Sequence, residues 1–132
     1  MKILVCGSRF WNNIEVIANF LSGLVDEQDV TIIHGACRGA DFIAGECAKQ
    51  LNFLVREYPA DWIKYKKLGN VKLAGIMRNQ QMIDIEHDED DPIKLCVAFH
   101  DDVYNKSTGT LDMIARCEKY GIPVRIITQN DN

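Results

Sequence analysis

Four short stretches of this 132-residue chain bring together the side chains that anion recognition requires. They are Gly7-Ser8-Arg9, His34-Gly35-Ala36-Cys37-Arg38-Gly39-Ala40-Asp41, Pro59-Ala60-Asp61-Trp62 and Ser107-Thr108-Gly109-Thr110, with His100-Asp101 a few residues before the last. Glycines let backbone N–H groups come close to a ligand, and the start of a helix favours negative charge. Gly35, Gly39, Gly109 and the hydroxyls of Thr108 and Thr110 suit phosphate oxygens, which Arg9 and Arg38 can pair in bidentate fashion. Trp11 or Trp62 offers a platform for a base, and Asp41 or Asp61 an acceptor for ribose hydroxyls. Each residue also has an ordinary role, as turn glycine, helix cap, core tryptophan or, for His34, structural histidine at a strand end. The functional reading rests on their convergence at one place.

That convergence depends on the elements around them. Residues 2–6, KILVC, form a short apolar run stopped by Gly7 and read as a buried strand. Asn12 or Asn13 caps a helix whose apolar positions Ile14, Ile17, Leu21 and Leu24 recur at helical spacing. A second strand covers 29–34. A helix opening at Arg38 or Gly39 carries Ile43, Cys47, Ala48 and Leu51 on one face, and a third strand covers 53–57. One helical turn follows within 61–72, then a helix over 73–85 with Leu73, Ile76, Met77 and Ile83 inward. A fourth strand (93–99), a last helix (109–120) and a fifth strand (123–127) complete the chain. The acidic run at 87–91 reads as a solvated loop. Strands alternating with helices predict one α/β domain over residues 1–132. Its fold would be Rossmann-like and doubly wound, a parallel five-stranded sheet in order 3-2-1-4-5 with helices on both faces. Ligands of such sheets bind beyond the carboxyl ends of the strands, where the order reverses. All four stretches are expected at that edge.

Composition narrows the classes further. Hydrophobic residues make up 47% and charged residues 26%, the balance of a globular domain. No run approaches a membrane span, and MKILVCGSRFW is too short in apolar residues for a signal peptide. The net charge of −4 disfavours a grip on duplex nucleic acid. The five cysteines follow no zinc spacing, so no metal is expected, and their scatter points to core thiols in a reducing cytoplasm. Dinucleotide, P-loop and nucleophile-elbow fingerprints are missing from the sequence.

In this order, Cys6-Gly7-Ser8-Arg9, HGACRGAD at 34–41, Ala60-Asp61-Trp62, Arg78-Asn79-Gln80-Gln81-Met82 and Gly109-Thr110 resemble the YspA-like branch of the SLOG superfamily. The superfamily also contains the LOG-type phosphoribohydrolases and the DNA-processing protein DprA. The resemblance implies a crevice for a nucleotide-derived small molecule, of ADP-ribose or cyclic-nucleotide type, for sensing or sequestration. It implies a homo-oligomer and no further cofactor, with Arg78 and Asn79 joining Asp41, Asp61 and Trp62 at the ribose or base end. LOG-type enzymes carry Pro-Gly-Gly-x-Gly-Thr-x-x-Glu; residues 105–113 here read Asn-Lys-Ser-Thr-Gly-Thr-Leu-Asp-Met, keeping Gly109-Thr110 but neither the Gly-Gly pair nor the Glu. A hydrolase would have to use Asp112 as acid/base, with Arg78 as its electrostatic partner. Asp112 is one methylene shorter than Glu, and reacting groups tolerate little misplacement. Binding is therefore the first expectation, and cleavage of an N-glycosidic or phosphoester bond the alternative.

Overall fold

Strand β1 (Lys2–Gly7) lies at the centre of a parallel sheet, between β2 (Thr31–His34) and β4 (Ile93–Phe99). The computed structural model describes residues 1–101 and 108–130. Among them, β3 (Leu54–Glu57) and β5 (Val124–Ile127) complete the order β3-β2-β1-β4-β5, as the alternation of elements predicts. Leu4 pairs with Ile33 on one side and Cys96 on the other. Successive β1 side chains point to opposite faces, and both faces are covered, so the strand reads as an unbroken apolar run. Ile3 and Val5 join a core under α1 (Ile14–Ser22) and α2 (Ala40–Gln50). Leu4 and Cys6 join another under α4 (Lys72–Glu86) and α5 (Thr108–Lys119). No described helix is long and apolar enough to cross a membrane.

Two helices present different faces from those their apolar residues predict. The innermost stripe of α2 is Ala40, Ala44 and Ala48, with Asp41 and Gly45 also buried, while Ile43, Cys47 and Leu51 flank it half-buried. Small residues let α2 come close to the sheet: a Cβ on Gly7 would stand 2.6 Å from that of Ala40. Helix α4 buries Ala74, Arg78, Asn79, Met82, Ile83 and Glu86 and leaves Met77 48% exposed. Its inward face is partly charged, so hydrophobic periodicity misplaces it. In α1, Asn13 caps Val16 as expected, but Val16 is buried and Ile14 is exposed. The predicted turn after Asp61 is α3 (Trp62–Lys67), which buries none of its residues.

The charge at the end of α4 is fully partnered. Glu86 is 1% exposed and accepts from Arg56 Nη1 at 2.6 Å and from the Tyr58 hydroxyl. Lys2 Nζ stands 3.3 Å from its carboxylate and donates to its backbone oxygen at 2.7 Å. This cluster ties β1 and β3 to the end of α4, which carries the polar residues of the site. Removing one member of a buried ion pair strands the other, at a cost on the order of 3 kcal/mol. Glu86→Ala should therefore lose about that much stability in urea unfolding; a loss below about 1 kcal/mol would show that Asp91, exposed and 3.5 Å from Lys2, suffices as partner.

Candidate functional site

The carboxyl end of β1 is tied to β4 and to the start of α2 by Ser8 and Gly39. Ser8 is buried: its N–H donates to Phe99 O at 3.0 Å, and its carbonyl accepts from Ala40 N at 3.1 Å and Trp11 N at 3.2 Å. Its hydroxyl accepts from Phe10 N at 3.1 Å. Gly39 has φ +78 and packs its Cα against the carbonyls of Ser8 and Arg9, where a side chain has no space.

The turn after β2 is closed from within. Asp41 Oδ2 accepts from Gly35 N at 3.1 Å and Cys37 N at 3.3 Å. His34 Nδ1 accepts from Ala36 N at 3.0 Å, with Ala36 at φ 58. These are the amides that a glycine-rich loop would offer to phosphate, and here the protein's own side chains take them. Beneath the turn lies the Arg78 guanidinium, 7% exposed as a residue. Its Nη1 donates to Gly35 O and, at 3.4 Å, to Tyr58 O; its Nε donates to Asn79 Oδ1 at 2.9 Å. A Cβ on Gly35 would stand 2.5 Å from Arg78 Nη1, so a larger residue there requires the guanidinium to shift.

These groups wall a cavity of about 500 Å³ at the edge where the strand order reverses. Its floor is apolar, with Val5, Cys6, Met82 and Met113. At its mouth Arg9 lies over the Trp62 ring, 5.3 Å from the centroid, and Arg38 over the Phe10 ring at 5.8 Å. Thr108, Gly109 and Thr110, the first residues of α5, line it too, and a Cβ on Gly109 would meet nothing within 4 Å. Gly7, Arg9, Gly35, Arg38, Asp41, Trp62, Arg78, Asn79, Gly109 and Thr110 are thus brought together on one cavity. Ser8, Gly39 and Asp61 do not line it: the first two form the joint above, and Asp61 caps α3 by accepting from Lys64 N at 3.0 Å. His34 turns to a smaller hollow of about 220 Å³ beside Glu57 and Lys49. Trp11 is core, edge-on to Phe99. Ser107, expected in the helix-capping set, lies outside the described residues. Phe10, Cys37 and Gly75 also line the cavity. Gly75 had a legible signal, a glycine inside a helical stretch; a Cβ there would be 3.9 Å from Trp62.

A profile described as the YspA, cpYpsA-related SLOG family matches residues 1–65. The Gene 61 protein of Mycobacterium phage D29 is 30% identical over 130 residues, which cover 93% of each chain. The chain belongs to the YspA-related SLOG family. The X-ray structure of DNA processing protein A (DprA) from Streptococcus pneumoniae has the same fold, with a TM-score of 0.70 at 18% identity. The match covers 95% of this chain and 49% of the DprA chain, so this SLOG chain spans about half of that one's length.

Asp112 does not line the cavity. Its Oδ2 accepts from Arg116 Nε at 2.8 Å and Asn79 Nδ2 at 3.0 Å. Asn79 also donates to Gly109 O at 3.1 Å, so the three residues fasten α4 to the first turn of α5.

Burial pushes the Asp41 carboxyl up to about 6, against the pull of Arg78, the Cys37 and Gly35 amides and Arg9. Burial lowers the His34 imidazole, against the pull of Glu57. The two carry opposite signs. A raised carboxyl adds stability that is fully present below the unfolded value near 3.8 and is lost as the pH rises through about 6. A lowered imidazole adds stability that is lost as the pH falls. Asp41→Asn keeps an acceptor for the turn and removes only the first titration. Its stability relative to the native protein should rise by on the order of 1–3 kcal/mol between about pH 4 and pH 7.5. His34 titrates in both proteins and cancels. Thermal melts across that range check this; a difference that is flat with pH would contradict it.

Proposed function

We propose that the protein binds a nucleotide-derived small molecule in this cavity and leaves it intact, as a sensor or a sequestering protein. One observation carries the reading. Two arginines stacked on aromatic rings and the first turn of α5 face a cavity with an apolar floor. Cations and a helix start take phosphate oxygens, while the floor and Trp62 take a base. Membership of a superfamily whose fold binds nucleotide ligands supports it. Phosphate falls to Arg9, Arg38, Gly109 and Thr110, because the amides of the 35–37 turn are already bonded within the protein. Asp41, Trp62, Arg78 and Asn79 face the ribose and base. ADP-ribose and cyclic nucleotides suit the size and polarity of the cavity. The engagement of Asp112 by Arg116 and Asn79 favours binding over hydrolysis.

The purified protein would be incubated with a nucleotide mixture, washed and denatured, and the released molecules identified by mass spectrometry. An intact nucleotide is expected; free base with sugar phosphate would favour hydrolysis. Arg9→Ala and Arg38→Ala should each weaken binding of the recovered nucleotide by roughly ten- to a hundredfold, the scale of a charge-assisted hydrogen bond, with little change in melting temperature. Calorimetry showing unchanged affinity in both variants would remove the phosphate site.

A further inference from the structure

Both backbone polar groups of Gly35 are held by buried charges of opposite sign. Asp41 Oδ2 takes its N–H and Arg78 Nη1 its carbonyl. Asp41 is 5% and Arg78 7% exposed, and both line the cavity. Neither is used up by this contact. Asp41 Oδ1 is buried with no hydrogen-bond partner among the described residues. Arg78 spends Nε on Asn79 and Nη1 on two carbonyls, while among the described residues Nη2 meets only the Cys37 sulfur, at 3.8 Å. Sulfur is a weak acceptor, so Nη2 keeps donor capacity. Gly75 leaves the ground beside it clear: even a Cβ there would stay 3.7 Å away.

A carboxylate oxygen without a donor and a guanidinium nitrogen without a strong acceptor are thus paired across one residue, Gly35. A buried polar atom left unpaired costs stability, and a cavity-lining one is satisfied when a ligand supplies the partner. We propose that Asp41 and Arg78 form a pair that reads the vicinal hydroxyls of a ribose, one hydroxyl donating to Asp41 Oδ1 and its neighbour accepting from Arg78 Nη2. A vicinal diol supplies one donor and one acceptor on adjacent carbons, the complement of this pair. A phosphate supplies only acceptors and is repelled by the carboxylate. The inference rests on the nucleotide reading above, narrows it to ligands with a free ribose diol, as in ADP-ribose but not in a cyclic nucleotide, and fixes the ligand's direction, with the sugar at the 35–41 turn and the phosphate toward α5 and the mouth.

The pair also makes binding depend on pH. The groups facing the Asp41 carboxylate are Arg78 from α4, Arg9 from the loop after β1, the Cys37 and Gly35 amides of its own turn, and the Cys96 thiol of β4. In this setting its carboxyl titrates at about 6. Protonation turns the free acceptor into a hydroxyl and weakens the grip on the diol.

Calorimetry with AMP, 2′-deoxy-AMP and 3′-deoxy-AMP at about pH 7.5 tests the pair on the unaltered protein. Each deoxy analogue should bind about tenfold or more weakly than AMP, the scale of a hydrogen bond to a charged group. In Asp41→Asn an amide N–H₂ replaces the free acceptor while the turn keeps its oxygen. That variant should lose a similar factor for AMP and no longer distinguish the analogue whose hydroxyl donates to Asp41. ADP-ribose, which lacks the monoester ionisation near pH 6 of AMP, serves for the pH arm. Its affinity for the native protein should fall about fivefold or more between about pH 7.5 and pH 5, and stay level in Asp41→Asn. Deoxy analogues that bind the native protein as tightly as AMP would overturn the pair and leave the nucleotide reading standing. Failure of AMP and ADP-ribose alike to bind the native protein would overturn the nucleotide reading, and the pair with it.

Discussion

The guanidinium of Arg78 donates to the Gly35 carbonyl and stands where a Gly35 side chain would go, and much of the site follows from that contact. Arg78 can be buried because carbonyls of the 35 and 58 positions and the Asn79 amide accept from it, and because the Asp41 carboxylate stands near it. Asp41 can be buried because the Gly35 and Cys37 amides point at it. The turn after β2, the first turn of α2 and the middle of α4 are thereby fixed relative to one another. Buried charges of this kind rarely stabilise a protein more than a well-packed apolar core would. Their retention on a cavity wall is better understood as keeping polar groups ready for a ligand.

The second fastening works by the same means at the other side of the cavity. Asn79 holds the first turn of α5 through Gly109 O and Asp112, and Arg116 closes the group from one turn further on. Adjacent residues of α4, Arg78 and Asn79, thus reach the two opposite walls. The cavity is set by a rigid helix between two anchored helix starts. Such a frame lowers the ordering cost of binding, because its polar groups are held before the ligand arrives. The mouth is built differently: α3 buries none of its residues and brings Trp62 under Arg9, so the outer contacts are surface stacking between side chains.

The sheet was legible because each strand is a short apolar run ended by glycine, proline or a polar residue, and because alternation with helices leaves few topologies. By sequence the glycines are places where a ligand nears the backbone; at Gly7, Gly35 and Gly39 the close neighbour is the protein itself. Periodicity failed in α2 and α4 for physical reasons. In α2 the tightest packing belongs to alanines, which carry little weight on a hydrophobic scale. In α4 the buried face holds Arg78, Asn79 and Glu86, whose partners come from β1, β3, α5 and the loops and are invisible to local pattern. Sequence pattern assigns Asp41, Asp61 and Asp112 to the ligand or its chemistry, and of the three only Asp41 lines the cavity. Asp41 closes its own turn, Asp61 caps α3, and Asp112 is tied to Arg116.

A crystal structure of the protein with AMP bound tests the central claim most directly, since it reports both the place and the direction of the nucleotide. The account predicts the ribose between Asp41 and Arg78 and the phosphate toward Thr108–Thr110, with the Arg78–Gly35–Asp41 contacts unchanged by binding. A nucleotide seated in the hollow beside His34, or a phosphate on the 35–37 amides with Asp41 displaced, would contradict it.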